Sequence, residues 1–377
     1  MSERALTLVG VWAFSLALGI ALVTVPLLAL DVGYDPAAVG GLVAVSALFQ
    51  FGTRLALPAL LGRFADRSLI VISGGLFALA CLVLIGATTL PVFVIAQALI
   101  GTSRALFWTS SQTHAVRTGD RPVQRLVDLN IVGNAGTLMG PVIGGVLATI
   151  DFRLAFFAAV ASAALSGLVA LGLQRFPPYD RRRSEGSLRL LRRPGVDHGA
   201  WSSFIGGGWW ALLGSLVPVL LVGAGLRPAG VGLVTTLAEG AGMVALLLIR
   251  ARRPRRILGI VRTGNWVVLA AIVGLAVAPS EPLVLSLLLM VGGAGGGAIT
   301  TLGPALADQA AAADEQGDVL AMTGTFRAGA LLAVPATAAV LLSVVAIPVA
   351  LVALAIGMAV PTAIIDRRSP GSPPARR

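Results

Sequence analysis

The sequence predicts an all-α integral membrane protein with twelve transmembrane helices in two six-helix bundles. Three observations lead to this fold class: an apolar composition, recurrent apolar runs of membrane-spanning length, and a resemblance between the two halves of the chain. Of the 377 residues, 56% are hydrophobic and 12% are charged, and the mean hydropathy is +0.91. Soluble domains carry about 25% charged residues, so a soluble fold of this composition would lack the polar groups needed to cover its surface.

Twelve apolar segments are each long enough to cross a hydrocarbon core of about 30 Å as helices that rise about 1.5 Å per residue. The first follows Arg4 and could pass for a signal peptide, but it is long enough to span and many similar runs follow it. The only cysteine, Cys81, lies inside an apolar segment, which excludes an internal disulfide. The predicted spans are residues 6–30, 37–60, 69–89, 91–113, 124–149, 152–174, 199–223, 229–249, 257–278, 282–304, 319–344 and 346–365.

Arginine is distributed unevenly between the connectors, and this asymmetry predicts the topology. The net charge of +11 therefore indicates membrane orientation and contacts with lipid headgroups rather than nucleic-acid binding. Both termini and the linker at 175–198 are expected in the cytoplasm, although the connector after the tenth span is acidic. Arginines predicted on that side are Arg63, Arg67, Arg117, Arg121, Arg125, Arg181, Arg182, Arg183, Arg189, Arg192, Arg193, Arg250, Arg252, Arg253, Arg255, Arg256, Arg367, Arg368, Arg376 and Arg377.

The two halves of the chain resemble each other at a shift of about 191 residues. The segment "PVFVIAQALIG" at 91–101 matches "PLVLSLLLMVG" at 282–292, and "NAGTLMGP" at 134–141 echoes "RAGALLAVP" at 327–335. A parallel repeat of six spans predicts two bundles related by a pseudo-twofold axis, which is a transporter plan. The predicted domains are residues 1–174, a cytoplasmic linker at 175–198, residues 199–365, and a cytoplasmic tail at 366–377.

Two glycine-containing motifs carry a family resemblance. The connector "GRFADR" between spans two and three reads G-x-x-x-D-R, and "GTLMGPVIGG" in span five reads G-x-x-x-G-P-x-x-G-G. Over nearly its whole length the chain resembles the major facilitator superfamily, and the resemblance to the twelve-span antiporters of that family implies proton-coupled export of drugs or metabolites. The matching residues are Gly62, Asp66 and Arg67 in the connector and Gly136, Gly140, Pro141, Gly144 and Gly145 in span five.

The resemblance also implies mechanical roles for these motifs. Asp66 is expected to pair with basic groups, or with the N-terminal dipole of span eleven, across the two bundles, and so to hold the cytoplasmic side closed. Gly136, Gly140 and Gly144 form a smooth stripe that lets a neighbouring helix approach closely, whereas Pro141 permits a kink. Close contact along this glycine stripe is compatible with static helix packing and equally with sliding of the two helices during transport.

Glu239 is the first candidate for proton coupling because it lies about halfway along span eight, in "TTLAEGAGM". An ionised side chain at that depth costs at least about 2.5 kcal/mol unless it faces a cavity or a partner. Burial favours the neutral form of a carboxyl group, which suits proton loading and release. The alternative interpretation is a permanent pair between Glu239 and an arginine that locks two helices together.

Span four provides the next candidates. The family often has an arginine where this chain has Gln97, and Arg104 follows instead, near the middle of the span. Arg104 is expected to act as counter-ion to Glu239 or as anchor for an anionic substrate group, with a purely structural contact as the alternative. Trp108 and Gln112 follow one and two turns later on the same face, a stripe that suits a cavity wall facing an amphipathic ligand.

Further substrate contacts are expected from spans five and seven. Asn134 is a modest cavity candidate in span five. Span seven reads "WSSFIGGGWW", in which Ser203, Trp209 and Trp210 are candidates for substrate contact and the three glycines at 206–208 are expected to let the helix bend. Trp201 suits an aromatic belt near the cytoplasmic boundary.

We therefore expect a proton-coupled secondary active transporter that exports a small amphipathic drug or metabolite by alternating access. An uptake symporter for an organic anion or a sugar is the nearest alternative, and a non-transporting membrane protein on the same fold is the third. The expected setting is the cell inner (plasma) membrane, in contact with lipids and protons, as a monomer. No cofactor, metal site or enzymatic constellation is predicted, because His114 and His198 lack metal-site spacing and "GGAGGG" at 292–297 sits inside a span as helix packing.

Overall fold

A computed structural model describes residues 2–118, 122–178, 188–252, 257–278, 280–312 and 315–368. Across these ranges the chain forms thirteen α-helices and one short 3-10 helix, Leu188–Arg192, and contains no β-strand. Part of the predicted linker and several of the charged residues in the topology prediction lie outside the described residues. These are Arg121, Arg181, Arg182, Arg183, Arg253, Arg255, Arg256, Asp314, Arg376 and Arg377.

The helices follow the predicted spans closely. They are α1 Glu3–Asp31, α2 Pro36–Leu61, α3 Asp66–Leu84, α4 Leu90–Arg117, α5 Pro122–Ile150, α6 Phe152–Ala170, α7 Val196–Leu213, α8 Leu216–Gly223, α9 Pro228–Arg252, α10 Ile257–Val277, α11 Pro282–Ala310, α12 Gln316–Leu342 and α13 Ile347–Arg368.

Eleven described helices are long and apolar enough to cross a membrane, and α7 with α8 makes a twelfth if the pair is one span. The all-α, twelve-span prediction is thereby confirmed. The axes of α7 and α8 differ by 44° at their break. The break falls between Leu213 and Leu216, so the bend in span seven lies several residues beyond Gly206, Gly207 and Gly208, where the sequence predicted it.

Polar caps and prolines set several helix starts. The Ser2 hydroxyl accepts a hydrogen bond from the Ala5 N–H at 3.3 Å, and the Asp151 carboxylate accepts one from the Arg153 N–H at 2.8 Å. Each bond satisfies a backbone donor that has no partner inside its own helix. Pro282 opens α11, a position where the missing N–H costs no helical hydrogen bond.

Contacts between the helices divide the chain into two units, Met1–Arg182 with Gly214–Thr236, and Arg183–Leu213 with Leu237–Arg377. Helix α8 and the first part of α9 thus pack with the first unit, although they lie in the sequence beyond the predicted linker. The domain boundaries at 174 and 199 stay a prediction from the sequence.

Each unit pairs its helices in the same order. In the first unit α1 packs on α5, and α3 packs on both α4 and α6. In the second unit α7 packs on α12, and α10 packs on both α11 and α13. Counting each unit's spans from its own beginning, the first span pairs with the fifth and the third pairs with the fourth and sixth. This order is what a parallel six-span repeat requires.

Candidate functional site

Glu239 lies at the middle of α9. Its Oε1 is shielded from solvent and has no hydrogen-bond partner among the residues that the structure describes. Buried polar atoms without a partner are rare and unfavourable, and they require an explanation such as a bound molecule, ion or proton.

The backbone of α9 touches α11 on both sides of Glu239. No side chain would fit at Gly293 of α11, because its Cβ would collide with the Ala238 carbonyl group. One turn later a Cβ at Gly297 would approach Gly242 Cα to 2.5 Å. The glycine run at 292–297 is therefore a helix-packing surface, as the sequence predicted, and it holds the backbone on either side of Glu239 against α11.

The stripe on α4 runs from a partly buried to an exposed position. Arg104 and Trp108 are partly buried, whereas Gln112 is exposed. The indole of Trp108 packs on α5, where a Cβ at Gly133 would approach Trp108 Cη2 to 2.7 Å. Asn134, the next residue of α5, is exposed. The structure thus brings Trp108 close to the α5 segment that carries Asn134, and a substrate role for these residues stays a prediction.

In α7 the structure gives two of the three predicted contact residues a packing role. The Ser203 hydroxyl donates to the Gly199 carbonyl at 2.8 Å within its own helix. Trp209 is 2% exposed and covers Gly292 and Gly296 of α11. Trp210 is partly buried. A substrate role for the three residues stays a prediction, and Trp210 is the least buried of the three.

Trp201 is bound more firmly than an aromatic-belt residue would be. Its Nε1–H donates to the Thr362 hydroxyl at 2.9 Å and lies 3.3 Å from the Met358 carbonyl oxygen. This indole therefore ties α7 to α13.

Asp66 of the connector motif belongs to a buried charge cluster in the first unit. Asp66 is 1% exposed, and its Oδ2 lies 3.3 Å from His114 Nδ1 and 3.7 Å from Arg117 Nη1. The other ring nitrogen of His114 lies 2.7 Å from Glu3 Oε1. The cluster joins the starts of α1 and α3 to the end of α4. All these partners lie in the first unit, so the predicted pairing of Asp66 across the two bundles stays a prediction.

Arginines extend this cluster to the segment after α6. Arg67, from the same motif, donates to the Leu173 carbonyl at 3.1 Å. Arg117 donates to the Pro177 carbonyl at 2.8 Å and lies over the Phe176 ring at 4.9 Å. Gly62 is exposed just beyond the end of α2. Arg67 of the motif therefore holds the end of span six, and Arg117, which lies outside the motif, holds the beginning of the predicted linker against the bundle.

The second unit contains a similar cluster around His198. Its Nδ1 lies 3.1 Å from Asp197 Oδ1, and its Nε2 lies 3.2 Å from Asp366 Oδ1. Arg262 Nε pairs with the same Asp366 oxygen at 3.0 Å, and Trp266 Nε1–H donates to Asp366 Oδ2 at 3.0 Å. Both histidines thus lie buried between two carboxylates. The sequence did not predict the pairings of His114 with Glu3 and Asp66 or of His198 with Asp366, because these partners are far apart in the chain.

The glycines of the span-five motif form a close helix contact in the first unit. A Cβ at Gly136 would approach the Trp12 carbonyl oxygen to 2.5 Å, and Gly140 meets Gly19 of α1 backbone to backbone. Gly144 continues the same contact along Ile20. The predicted stripe of small residues therefore faces α1 over two turns of α5.

The other side of the motif faces the beginning of α9. Gly145 lies against the Pro228 carbonyl group, and Gly232 lies against the Pro141 carbonyl group, with no room for a side chain at either glycine. Of the last two glycines of the motif, Gly144 therefore faces α1 and Gly145 faces α9.

Thr236 of α9 bonds to the backbone of α5 immediately after the motif proline. Its hydroxyl donates to the Leu138 carbonyl at 3.1 Å and accepts from the Val142 N–H at 3.2 Å. These two backbone groups bond each other in a regular helix. A side chain that enters the backbone ladder next to Pro141 is an established cause of helix bending, and no sequence signal pointed to Thr236.

These arrangements define a class of protein. The described residues contain no group of three or more His, Cys, Asp or Glu side chains that could hold a metal ion. They do contain eleven or twelve membrane-spanning helices in two units of equal packing order, with an unpartnered carboxyl group inside one span. This is the plan of a multi-pass membrane transporter.

Comparison with known proteins identifies the family. A sequence profile of the Major Facilitator Superfamily matches residues 7–335. The chain belongs to the Major Facilitator Superfamily, whose members are transporters rather than enzymes.

Two relatives come from Mycobacterium tuberculosis. The uncharacterized MFS-type transporter Rv0849 is 33% identical over 153 residues, which is 39% of this chain and 35% of that protein. An MFS-type transporter from a second strain, MT0872, matches to the same extent. The match therefore spans about a third of the length of these relatives.

Solved structures with the same fold include three transporters. The nucleoside transporter NupG has a TM-score of 0.74 at 13% identity and covers 97% of this chain and 99% of its own. An auto-inhibited POT family peptide transporter has a TM-score of 0.76 at 11% identity, covering 100% and 98%. A bacterial homologue of the human lysosomal transporter Spinster has a TM-score of 0.70 at 12% identity, covering 99% and 98%. These likenesses establish the fold.

Proposed function

We propose that this protein is a proton-coupled secondary active transporter that exports a small amphipathic compound by alternating access. The observation that carries the proposal is Glu239, a partly buried residue at the middle of α9 whose shielded Oε1 has no hydrogen-bond partner among the described residues. An ionisable residue within a membrane span marks a proton or substrate pathway more often than a structural contact.

The proposed mechanism uses the two protonation states of Glu239. The neutral form is compatible with an apolar span, whereas the ionised form requires water, a proton donor or a cationic partner. If substrate and proton compete for one site, each binding event excludes the other, and the protein exchanges them. Arg104 is proposed to modulate this competition or to orient the substrate.

Helix α9 also gives a physical route from Glu239 to the span-five motif. Thr236, one turn before Glu239 on the same helix, bonds to the α5 backbone beside Pro141. A change at Glu239 that shifts α9 would therefore act on α5 through Thr236. This connection supports an active role for the motif in the proposed transport cycle.

The arginine asymmetry of the connectors supports the remaining parts of the proposal. From it we infer an inner-membrane protein with both termini in the cytoplasm, and we propose a monomer as the functional unit. The likeness to nucleoside and peptide transporters concerns the fold alone, so we base the substrate class on the side chains of this chain.

Flux into proteoliposomes under an imposed pH gradient tests the proposal. Purified protein is reconstituted with pyranine inside the vesicles, and ethidium, chloramphenicol and 2-naphthoate serve as cationic, neutral and anionic amphipathic probes. We expect at least one probe to move with dissipation of the gradient in the wild type, and Glu239→Gln to abolish that gradient-driven movement.

Glu281→Gln is the matched control, because Glu281 is exposed just before α11 and lies outside the span. This variant should transport like the wild type. Gradient-driven flux that survives Glu239→Gln would remove Glu239 as the proton carrier. Absence of flux for all three probes, in protein that is folded and correctly reconstituted, would contradict transport of amphipathic compounds.

A further inference from the structure

Helix α2 carries a row of polar side chains within its apolar sequence. Ser46, Gln50 and Arg54 follow one another at intervals of four residues, so they lie on one side of the helix. Ser46 and Gln50 are each 4% exposed. The Ser46 Oγ, Gln50 Oε1 and Arg54 Nε atoms are buried and have no hydrogen-bond partner in the described part of the chain.

The row faces α4. At Gly101 of α4 there is no room for a side chain, because a Cβ there would collide with the Ser46 carbonyl group and lie 3.0 Å from the Gln50 backbone nitrogen. The two helices therefore touch at the level of Ser46 and Gln50. The row is accordingly a feature of the α2–α4 contact and not of the lipid-facing side of α2.

The arginines of both helices lie on the same side of this contact. Further along the chain Leu57 of α2 and Ala105 of α4 belong to one apolar cluster. The two helices thus run in the same direction, and Arg54 and Arg104 each follow the contact by about one turn. The positive charge of Arg54, next to this contact in an apolar protein, favours an anion.

Physical chemistry restricts what Arg54 can be doing. The side chain makes no ion pair or hydrogen bond with the described residues. Arg54 is partly buried, and its shielded Nε–H lacks an acceptor, which is unfavourable for a buried donor; an arginine does not lose its proton to avoid this cost. An anion that enters from solution would provide both the missing charge and the missing acceptors.

We propose that Ser46, Gln50 and Arg54 form the part of the transport site that binds the anionic group of the substrate, and that the substrate is an amphipathic organic carboxylate. The planar guanidinium group of Arg54 presents paired donors that match the two oxygens of a carboxylate. Gln50 and Ser46 offer hydrogen bonds to neighbouring polar atoms of the substrate. A singly charged carboxylate suits one arginine better than a doubly charged phosphate. This inference rests on the proposed transport function.

A charge-sensitive thiol assay tests the site without requiring transport. The only cysteine, Cys81, is buried, so Cys81→Ala provides a thiol-free background. Gln50→Cys in that background brings a reporter one turn from Arg54, and Ser46→Cys provides a second reporter if the first variant does not fold. Reaction rates with sulfonatoethyl and trimethylammonioethyl methanethiosulfonate are measured by intact-mass spectrometry. Both rates are divided by those of Ser343→Cys, an exposed thiol at the end of α12.

We expect the anionic reagent to react at least about tenfold faster than the cationic one, since a unit charge lies about 6 Å away. Arg54→Gln should abolish this preference, whereas Arg153→Gln, at an exposed position of α6, should leave it unchanged. Addition of 2-naphthoate should slow the reaction, and the uncharged 2-naphthamide should not.

Three results would overturn the proposal. The first is a charge preference that is absent or that survives Arg54→Gln. The second is protection by phosphatidylglycerol but not by 2-naphthoate, which would assign Arg54 to lipid headgroups. The third is no reaction at either reporter, which would show that the row is closed to water. Because the assay does not depend on proton movement, its failure would be distinguishable from loss of coupling in Glu239→Gln.

Discussion

Glu239 introduces a carboxyl group into an apolar span, beside Ala238, whose backbone touches α11. A lock between helices would need a permanent partner for both carboxylate oxygens, and Oε1 has none among the described residues. A proton carrier needs a partner for only part of its cycle. The geometry at this residue therefore favours the carrier over the lock.

Glu315 provides a pH-dependent contrast outside the spans. The Ala312 N–H donates to its Oε2 at 3.1 Å, and Arg193 pairs with both carboxylate oxygens. The backbone hydrogen bond from Ala312, followed by the Arg193 guanidinium group, lowers the pKa of this carboxyl group below its ordinary value. The contribution of Glu315 to folding is therefore present above its unfolded-state pKa and is lost as the pH falls through the lower, folded-state pKa.

We expect Glu315→Gln to remove this acid-sensitive contribution. The thermal unfolding temperature of the wild type should fall more steeply than that of Glu315→Gln as the pH is lowered from about 6 to about 3. Intrinsic tryptophan fluorescence of the purified protein in detergent reports the transition. Parallel pH profiles for the two proteins would show that the pair with Arg193 does not contribute to stability.

At the scale of helices, Thr236 is the contact that joins α9 to the motif of α5. We expect Thr236→Val to keep the fold but to slow gradient-driven flux at least about tenfold, because α5 loses its bond to the helix that carries Glu239. The matched control is Thr235→Val, since that hydroxyl donates to the Val231 carbonyl of its own helix at 2.8 Å. Equal flux in both variants would show that Thr236 only packs.

The contact between α1 and α5 makes a separate prediction about stability. Because Gly140 meets Gly19 backbone to backbone, Gly140→Ala forces the helices apart, and we expect a loss of about 1–3 kcal/mol in unfolding free energy. Gly41→Ala in α2 adds a methyl group where nothing lies within 4 Å, so it should be neutral or stabilise by up to about 1 kcal/mol. Denaturant titration in mixed micelles measures the unfolding free energy of both variants. Equal effects of the two substitutions would contradict close packing between α1 and α5.

The cluster around Asp66 couples three helices of the first unit. Asp66 Oδ2 and His114 Nδ1 share a buried contact at 3.3 Å, so removing either residue takes this partner away from the other. We expect the losses of unfolding free energy in Asp66→Asn and His114→Asn to be non-additive by at least about 1 kcal/mol in a double-mutant cycle. Arg63, an exposed arginine of the same connector, provides the control pair His114→Asn with Arg63→Gln, which should be additive.

For the whole molecule, the sequence was sufficient to predict the architecture. Apolar length determines the spans, since a helix must be long enough to cross the membrane, and a parallel repeat produces the equal packing order of the two units. The α5 glycine stripe was also predictable, because residues four apart in a helix lie on one face. These properties depend on local periodicity, which a single chain displays directly.

The candidate site was predictable only in part. Glu239 is recognisable because a charge inside an apolar run is unusual. The bond from Thr236 to α5 and the pairs His114–Asp66, His114–Glu3 and His198–Asp366 instead join residues more than 40 positions apart. Such contacts depend on how helices pack, which periodicity does not encode. For the same reason Trp209 and Ser203, chosen from the sequence for substrate contact, have packing contacts in the structure.

Glu239 is proposed to exchange a proton for substrate, and protons released on substrate binding measure this exchange. Purified protein in weakly buffered detergent solution is mixed with the probe that is transported in the flux assay, and a pH indicator records the protons released. We expect about one proton per wild-type protein and none from Glu239→Gln, with release restored in Glu239→Asp. Equal release from the wild type and Glu239→Gln would contradict it.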